Sequence, residues 1–248
     1  MLRNELITYI DELLNTHQFR DYAPNGLQVE GSLNVHKMLC AVTASRAVIE
    51  KAIEIQADTL LVHHGMFWKS EPLTITGWKK QRILLLLQHN INLLAYHLPL
   101  DAHEDIGNNA QLAQKLGFTV QQFTEEQGLL AICFSEKKQT LGELCQIIAK
   151  ELNRTPLYIG ESNKIIQKLA ICTGGGQGFF QAACNAGADA LITGEASEAQ
   201  FHLAKECETA FIAAGHHATE RYGVQALAKK ISQTFGVECV FFDEENPI

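Results

Sequence analysis

The chain has 248 residues, 46% of them hydrophobic and 19% charged, which is enough for one large domain or two small ones. Its formal net charge of 20 − 28 = −8 disfavours a protein that coats nucleic acid. No apolar run is long enough to cross a bilayer, no signal-peptide core is expected, and the seven scattered cysteines predict reduced thiols in a cytoplasmic protein.

The first part of the chain predicts helices and strands in alternation. Its apolar spacing indicates helices over residues 2–16, 46–56, 78–90 and 106–116, and strands over 37–43, 58–62 and 91–96. Ser45 is expected to cap the second helix, and Gly117 to end the fourth. The Pro-Asn-Gly turn within residues 21–31 is typical of a plain surface turn.

The second part repeats this alternation. Strands are expected over residues 129–134, 157–159, 168–173, 188–193, 210–214 and 237–242, and helices over 140–152, 177–186, 196–207 and from 216 to about 234. Thr140 and Glu143 have the spacing of a capping box at the start of their helix. The pattern as a whole is that of an α/β protein.

Matched details suggest that the second part duplicates the first. Gln-Ala-Asp before one strand resembles Gly-Ala-Asp before another, with Asp58 and Asp189 separated by 189 − 58 = 131 residues. His97 and His216 each follow a strand and precede a carboxylate by four residues, with an offset of 216 − 97 = 119. Two ordinary βαβ units alike in composition are the alternative explanation.

Duplication predicts two α/β repeats, residues 1–124 and 125–248. We expect mixed sheets flanked by helices. Because ligand sites in open α/β sheets lie at strand ends, the strand ends of the two repeats are expected to form a metal site in the cleft between them.

The adjacent imidazoles of His63 and His64 follow an apolar run, Leu60 to Val62. Neighbouring side chains on a strand point to opposite faces. We therefore predict that both histidines lie just past the strand end, where the backbone turns, and where imidazoles commonly bind metal ions. Taken alone, such a pair is more often incidental.

Further candidate ligands follow other predicted strands. Asp101 is expected in a loop entered through Pro99, and His216 and Glu220 are spaced to share one helix face. Three imidazoles and two carboxylates exceed the needs of one tetrahedral ion, so the set has room for two ions per chain. Mixed nitrogen and oxygen donors suit Zn, Mn, Fe, Co or Ni. A solvated helix face would explain the last pair equally well.

Other polar groups leave alternatives open. His97, His103 and His217 are either groups that support the metal ligands, or caps and core histidines. The run Gly174 to Gly176 either holds a phosphate on its backbone N–H groups or allows a strand and a helix to pack closely.

Five stretches together resemble the NIF-three-like family of bacterial YbgI-like proteins, whose members are catalogued as GTP cyclohydrolase 1 type 2 homologs. These stretches are residues 21–29 (DYAPNGLQV), 62–65 (VHHG), 97–101 (HLPLD), 172–177 (CTGGGQ) and 215–220 (GHHATE). They occur in the family's order along nearly the whole chain. The long inserted domain of some relatives is absent.

The resemblance implies two intertwined α/β units, a dinuclear metal centre and a ring-shaped homo-hexamer, or toroid. The family's ligands fall on His63, His64, Asp101, His216 and Glu220, and none of these positions departs from the family pattern.

The leading functional prediction is a metal-dependent hydrolase that acts on a nucleotide-like or cyclic amide small molecule, as the GTP cyclohydrolase name implies. His97 is the candidate proton shuttle. The alternative is a non-enzymatic, metal-handling or regulatory ring. A ring that contacts DNA is disfavoured by the net charge of −8.

Overall fold

The computed structural model describes residues 1–248, which divide into two compact units. The first unit comprises residues 1–100 and 224–245, and the second comprises residues 101–223 and 246–248. The chain therefore passes three times from one unit to the other. The repeat boundary expected at residues 124 and 125 remains a prediction about duplication, whereas these units describe packing.

Eleven strands and ten α-helices make up the fold, and no helix has the length and apolarity that a membrane crossing needs. The strands are β1 (Gly26–Val29), β2 (Lys37–Thr43), β3 (Thr59–His64), β4 (Asn92–Ala95), β5 (Thr119–Thr124), β6 (Leu130–Thr140), β7 (Leu157–Ile159), β8 (Ile165–Ile171), β9 (Ala190–Thr193), β10 (Ala210–Ala213) and β11 (Glu238–Phe241). The helices are α1 (Arg3–Leu13), α2 (Arg46–Glu54), α3 (Gly77–Gln88), α4 (Leu98–Ala102), α5 (Asn108–Lys115), α6 (Leu141–Leu152), α7 (Phe180–Asn185), α8 (Ala199–Glu206), α9 (His216–Thr219) and α10 (Arg221–Phe235).

The first unit contains a five-stranded mixed sheet in the order β1-β4-β3-β2-β11. Its strands are parallel except β1, which runs antiparallel to β4. The central strands are continuous apolar runs that are buried along nearly their whole length, as expected for parallel strands covered on both faces. Leu39, Leu60 and Leu93 from neighbouring strands pack in its core.

The second unit contains a six-stranded mixed sheet in the order β5-β6-β8-β9-β10-β7. Its central pairs, β8 with β9 and β9 with β10, are parallel, and the outer pairs are antiparallel. Separate clusters of buried residues pack around this sheet, with Leu169 and Ile192 in one and Leu191 and Phe211 in another. The prediction of mixed sheets flanked by helices is confirmed.

The two sheets repeat the same pairing pattern. Leu39 of β2 pairs with Leu60 of β3, and Ala170 of β8 pairs with Leu191 of β9, so both partners are shifted by the same 131 residues. The antiparallel strand β7 lies beside β10 as β1 lies beside β4. This repetition supports the duplication inferred from sequence.

A pair of hydrogen bonds from backbone N–H groups to an aspartate side chain is repeated as well. A carboxylate oxygen of Asp58 accepts the backbone N–H groups of His36 and Lys37, at 2.7 and 3.1 Å. A carboxylate oxygen of Asp189 accepts two consecutive backbone N–H groups, those of residues 167 and 168, each at 2.8 Å. The aspartate that revealed the repeat in the sequence thus has the same structural role in both copies.

Local caps form where the sequence predicts them. The Ser45 hydroxyl accepts the Val48 N–H at 3.1 Å, which begins α2. Thr140 and Glu143 form the expected capping box of α6. Gly117 ends α5 with a φ of +77°.

Three expectations are wrong in detail. The stretch read as a plain surface turn contains β1, which pairs with β4 through Gly26 and Leu27. Asp101 lies in the short helix α4 and not in a loop, because proline is compatible with a first helical turn and Pro99 occupies that place. The helix expected from residue 216 is interrupted at Glu220, which joins α9 to α10.

Candidate metal centre

Three imidazoles of the first unit form what we call the imidazole cluster. His63 and His64 are the last residues of β3, and His97 lies between β4 and α4. Ring centroids are 4.6 Å apart for His63 and His64, 5.1 Å for His63 and His97, and 5.6 Å for His64 and His97. One ring nitrogen from each lies within 4.8 Å of the others. This is a suitable donor group for a transition-metal ion.

Unequal strand lengths place the adjacent histidines in this cluster. The pairing of β3 with β4 ends at Val62 and Ala95, whereas β3 still pairs with β2 through His64 and Thr43. The expectation that both histidines follow the strand is therefore wrong, since β3 continues through them. They nevertheless lie past the end of β4, on the side where His97 follows.

Hydrogen bonds orient the rings. The Nδ1 of buried His63 is 2.9 Å from the Tyr96 carbonyl oxygen. A carbonyl only accepts, so Nδ1 carries a proton and donates this hydrogen bond. The Nδ1 of His64 is 3.2 Å from the Thr43 hydroxyl oxygen.

His97 is held by the carboxylate of Asp21, which accepts from its Nδ1 at 2.8 Å. Asp21 also accepts from the Tyr22 N–H at 2.6 Å, the Asn25 amide at 2.9 Å and the Leu98 N–H at 3.0 Å. Burial alone would raise the pKa of Asp21, but His97, Asn25 and Leu98 lower it to about 2. Asp21 is therefore ionised and fixes the orientation of His97.

The second unit contains what we call the carboxylate cluster, formed by Asp101, Glu195, His216 and Glu220. The Nε2 of His216 is 3.2 Å from a Glu220 oxygen, and its Nδ1 is 2.6 Å from a Glu195 oxygen. Burial alone would lower the pKa of His216, but Glu220 and Glu195 raise it to about 9. The predicted proximity of His216 and Glu220 is thus present across the break between α9 and α10.

Asp101 lies in α4 and is 7% exposed. It accepts from the Asn108 amide at 2.8 Å and from the Thr173 hydroxyl at 3.4 Å. Burial, followed by the charges of Asp101 and Glu220, raises the pKa of Cys172 far above its usual range. Cys172 is therefore a neutral core thiol.

The glycine run makes room for this cluster. Gly174 has a φ of +65°, and a Cβ at this position would lie 2.0 Å from a Glu220 oxygen. Its N–H donates to Thr219 at 3.0 Å, and the N–H of Gly176 donates to Thr193 at 2.9 Å. Because these N–H groups are used inside the fold, close packing explains the run better than phosphate binding.

The chemistry of the donors fits divalent metal ions. Asp101 and Glu220 are 7% and 2% exposed, and carboxylates buried this deeply are normally paired or coordinate metals. The imidazole cluster contributes ring nitrogens as donors. Nitrogen and carboxylate donors together match the Zn, Mn, Fe, Co and Ni class.

Two further histidines have other local roles. His103 accepts the backbone N–H groups of Asp105 and Ile106 through its Nδ1, at 3.1 and 3.2 Å, so it caps a turn. The backbone N–H of His217 donates to the carbonyl of Ile248 at 3.1 Å, and its side chain is buried.

Two functional carboxylates were not assigned from the sequence. Asp21 lies in the stretch that the sequence predicts to be a surface turn. The only sign of a function for it is its place in the DYAPNGLQV motif, which resembles the family's. Glu195 follows His64 by 195 − 64 = 131 residues, the offset between Asp58 and Asp189, and this is the signal in the sequence that points to it. In both units a histidine that follows a strand has a carboxylate on its Nδ1, although the two carboxylates come from unrelated positions.

Comparison with known families and proteins gives consistent matches along the whole chain. The family model described as Duf34/NIF3 (NGG1p interacting factor 3) matches residues 1–247. A Neisseria meningitidis serogroup A protein named GTP cyclohydrolase 1 type 2 homolog is 55% identical over 247 residues, covering 100% of this chain and 99% of its own. A Vibrio cholerae protein of the same name is 46% identical, covering 98% of each.

Solved structures agree with these sequence matches. The structure of the protein ybgI superposes with a TM-score of 0.96 at 45% identity, covering 100% of both chains. A structure from Thermus thermophilus superposes with a TM-score of 0.91 at 37% identity, again covering 100% of both chains.

Proposed function

This chain belongs to the Duf34/NIF3 family, and from that premise we propose that it is a metal-dependent hydrolase acting on a nucleotide-like or cyclic amide substrate. The observation that carries the proposal is the imidazole cluster, with ring nitrogens of His63, His64 and His97 within 4.8 Å of one another. Relatives named GTP cyclohydrolase 1 type 2 homolog support the substrate class.

We assign two divalent ions to five ligands of the chain. His63, His64 and His216 would supply nitrogen, and Asp101 and Glu220 would supply oxygen. Each carboxylate among these ligands offers two oxygens as donors. When bound, such ions supply Lewis acidity for hydrolysis.

The remaining polar groups position ligands and handle a proton. Asp21 keeps the Nδ1 of His97 protonated, so the Nε2 of His97 is the atom that accepts and returns a proton. Glu195 holds the Nδ1 of His216 in the same way and directs the opposite nitrogen towards Glu220. Partners of this kind fix the tautomer and direction of a histidine ligand.

We extend the proposal to a cytoplasmic, ring-shaped homo-hexamer. Support comes from exposed apolar side chains on α3, where Trp78, Leu84 and Leu87 are 51%, 46% and 56% exposed. Exposed apolar patches often mark protein interfaces. Light scattering tests this directly, since a hexamer has six times the 27.5 kDa mass of one chain and a monomeric reading contradicts it.

The experiment that tests the metal centre is elemental analysis of gently purified protein. We expect about two ions per chain, and their loss in a His63→Ala, His216→Ala double variant. The control is His202→Ala, which alters an exposed histidine on α8 that pairs with Glu198. Unchanged metal content in the double variant contradicts the ligand assignment.

The alternative function is a metal-handling or regulatory ring without catalysis, since the same donors serve storage. A hydrolysis screen of nucleotides with metal-loaded protein separates the two functions. Turnover that disappears in the double variant supports the hydrolase. Rapidly exchanging metal with no turnover supports the metal-handling protein.

A further inference from the structure

An open cavity of about 880 Å³ lies in the first unit. Its walls come from residues 16–28, which precede and include β1, and from residues 67–73, which follow β3. Cavities of a few hundred to about 1,000 Å³ are typical of sites for small molecules. Neither the metal assignment nor the proton transfer accounts for this cavity.

Aromatic side chains connect the cavity to the imidazole cluster. Phe19, Tyr22, Phe67 and Trp68 line it. The Trp68 ring centroid is 5.1 Å from that of His97, nearly perpendicular at 89°, and 5.9 Å from that of His64. The Tyr22 centroid is 6.2 Å from that of His97, and Tyr22 is 61% exposed. Such aromatic faces stack with planar rings.

The charge of the lining favours an anion, although the chain as a whole carries a net charge of −8. Arg20 and Lys69 contribute cations to the lining. The only acidic residue among the lining side chains is Asp21, whose carboxylate is turned to His97 and buried. Arginine and lysine are the usual partners of phosphate groups.

Hydrogen bonds build the cavity wall in advance. The Lys69 N–H donates to the Tyr22 carbonyl at 2.8 Å, and the Lys69 ammonium donates to the Asp21 carbonyl. Gln28 accepts from the Met66 N–H at 2.9 Å and donates to the Pro24 carbonyl at 2.9 Å. A preformed wall reduces the entropy that a ligand must overcome on binding.

Gly65 allows this wall to form. A Cβ at residue 65 would lie 2.1 Å from the Gln28 side-chain oxygen, so any larger residue would displace Gln28. Gly65, which directly follows the two histidines of β3, therefore leaves the space that Gln28 occupies in the cavity wall.

We propose that this cavity binds the planar heteroaromatic ring of a phosphorylated ligand, stacked on Trp68 and Tyr22 with its phosphate towards Arg20 and Lys69. The inference rests on the proposed function, because it states how the substrate of that centre is held. It adds a binding site, made by this chain's own side chains, that is independent of the metal ligands.

Tryptophan fluorescence provides a direct binding assay. The chain has two tryptophans, and Trp78 is not among the residues that line the cavity. Its ring centroid lies 4.8 Å from the Arg82 guanidinium. The Trp78→Phe variant therefore leaves Trp68 as the only reporter. We expect saturable quenching by GMP, roughly tenfold weaker binding of guanosine, and no quenching by inorganic phosphate at the same concentrations. Absence of saturable quenching by GMP overturns the proposal.

Single-residue variants separate the contribution of aromatic stacking to GMP affinity from the contribution of the cationic side chains. Calorimetry should show that Trp68→Ala raises the Kd for GMP roughly tenfold or more, while Trp68→Phe retains most of the affinity. Arg20→Ala should reduce the affinity for GMP to that for guanosine. The control, Lys80→Ala on an exposed position of α3, should leave the Kd unchanged. Unchanged affinity for GMP in natively folded Trp68→Ala, or in natively folded Arg20→Ala, overturns the proposal.

The two proposals fail in different ways. GMP binding is measured on metal-loaded and on chelator-treated protein, and turnover is measured on the metal-loaded form. Saturable binding in both forms without turnover of any nucleotide supports the cavity and contradicts the hydrolase. Nucleotide turnover with an unchanged KM in Trp68→Ala supports the hydrolase and contradicts the cavity.

Discussion

Asp21 contributes to stability through its charge, because its carboxylate is buried and bound to His97 at 2.8 Å. Its pKa is lowered from 3.8 to about 2, a difference equivalent to about 2 kcal/mol. A lowered pKa in the folded state gives stability that is fully present above the unfolded value and is lost as pH falls through the folded value.

We therefore expect Asp21→Asn to lower the free energy of unfolding by about 2 kcal/mol near neutral pH. The difference from the wild type should shrink as pH falls below 3.8 and vanish below about 2, where the wild-type carboxylate is itself protonated in the folded state. Urea unfolding with chelator present measures this without a contribution from metal. Asp105→Asn, at an exposed position, is the control, and a deficit for Asp21→Asn that persists at the lowest pH contradicts the charge argument.

Glu195 is the second carboxylate whose removal should be informative. Its oxygen lies 2.6 Å from the Nδ1 of His216, while Nε2 of the same ring faces Glu220 at 3.2 Å. Carboxylates that orient ligand histidines typically account for about ten- to hundredfold in metal affinity. We expect Glu195→Gln to weaken metal binding by a factor in that range, measured by competition with a chelator.

The control for this variant is Glu198→Gln, because Glu198 is exposed and pairs with His202 outside the cluster. Equal metal affinity in Glu195→Gln and Glu198→Gln would show that Glu195 does not position a ligand. A loss of folded protein in Glu195→Gln is detected separately by circular dichroism.

At the scale of an element, the turn after β8 should not tolerate a side chain at its first glycine. A Cβ on Gly174 would lie 2.0 Å from Glu220 and 3.0 Å from His216, and the φ of +65° is unfavourable for alanine. We expect Gly174→Ala to destabilise the fold by about 1–3 kcal/mol and to lower the metal content. Gly178→Ala is the matched control, because nothing lies within 4 Å of the added Cβ. Equal metal content in the two variants contradicts the packing argument.

The sequence predicts those elements that have a strong hydrophobic periodicity or a residue that recurs at the offset of the repeat. The strands β2 and β7 have the bounds expected from their apolar runs, and the offset of 131 between Asp58 and Asp189 recurs in the strand register. Strand β5 was missed because its side chains are mostly exposed and show no clean alternation. Short α4 was missed because five residues carry no helical period.

The candidate ligands were predictable as residue types at strand ends, but their partners were not. His97 and His216 were matched across the repeats at an offset of 119, whereas Ala95 of β4 and Ala213 of β10 occupy the same register position at an offset of 118. Gly215, with a φ of +98°, supplies the extra residue. Such an insertion depends on tertiary packing, which no local sequence pattern predicts. The same holds for the selection of Asp21 and Glu195 as the hydrogen-bond partners of His97 and His216.

At the scale of the whole molecule, the two packing units do not coincide with the two halves of the sequence. The first unit requires residues 224–245, which carry β11, and β11 pairs in parallel with β2 from Lys37 to Cys40. The second unit requires residues 101–124, which carry α5 and β5, and β5 covers the edge of β6. Cutting the chain between residues 124 and 125 therefore removes a strand from each sheet.

We expect the fragment of residues 1–124 alone to lack cooperative unfolding, because β2 becomes an unprotected edge and the apolar residues that β11 covers are exposed. The fragment of residues 125–248 should fail similarly, since β6 loses β5 along the pairs from Phe134 to Leu130. Circular dichroism melts and limited proteolysis of each fragment measure this. Co-expression of the two fragments is the control and should restore a protease-resistant complex, because together they contain every strand. A separately expressed half that unfolds cooperatively would mean that the repeats, and not the interleaved units, are the folding domains.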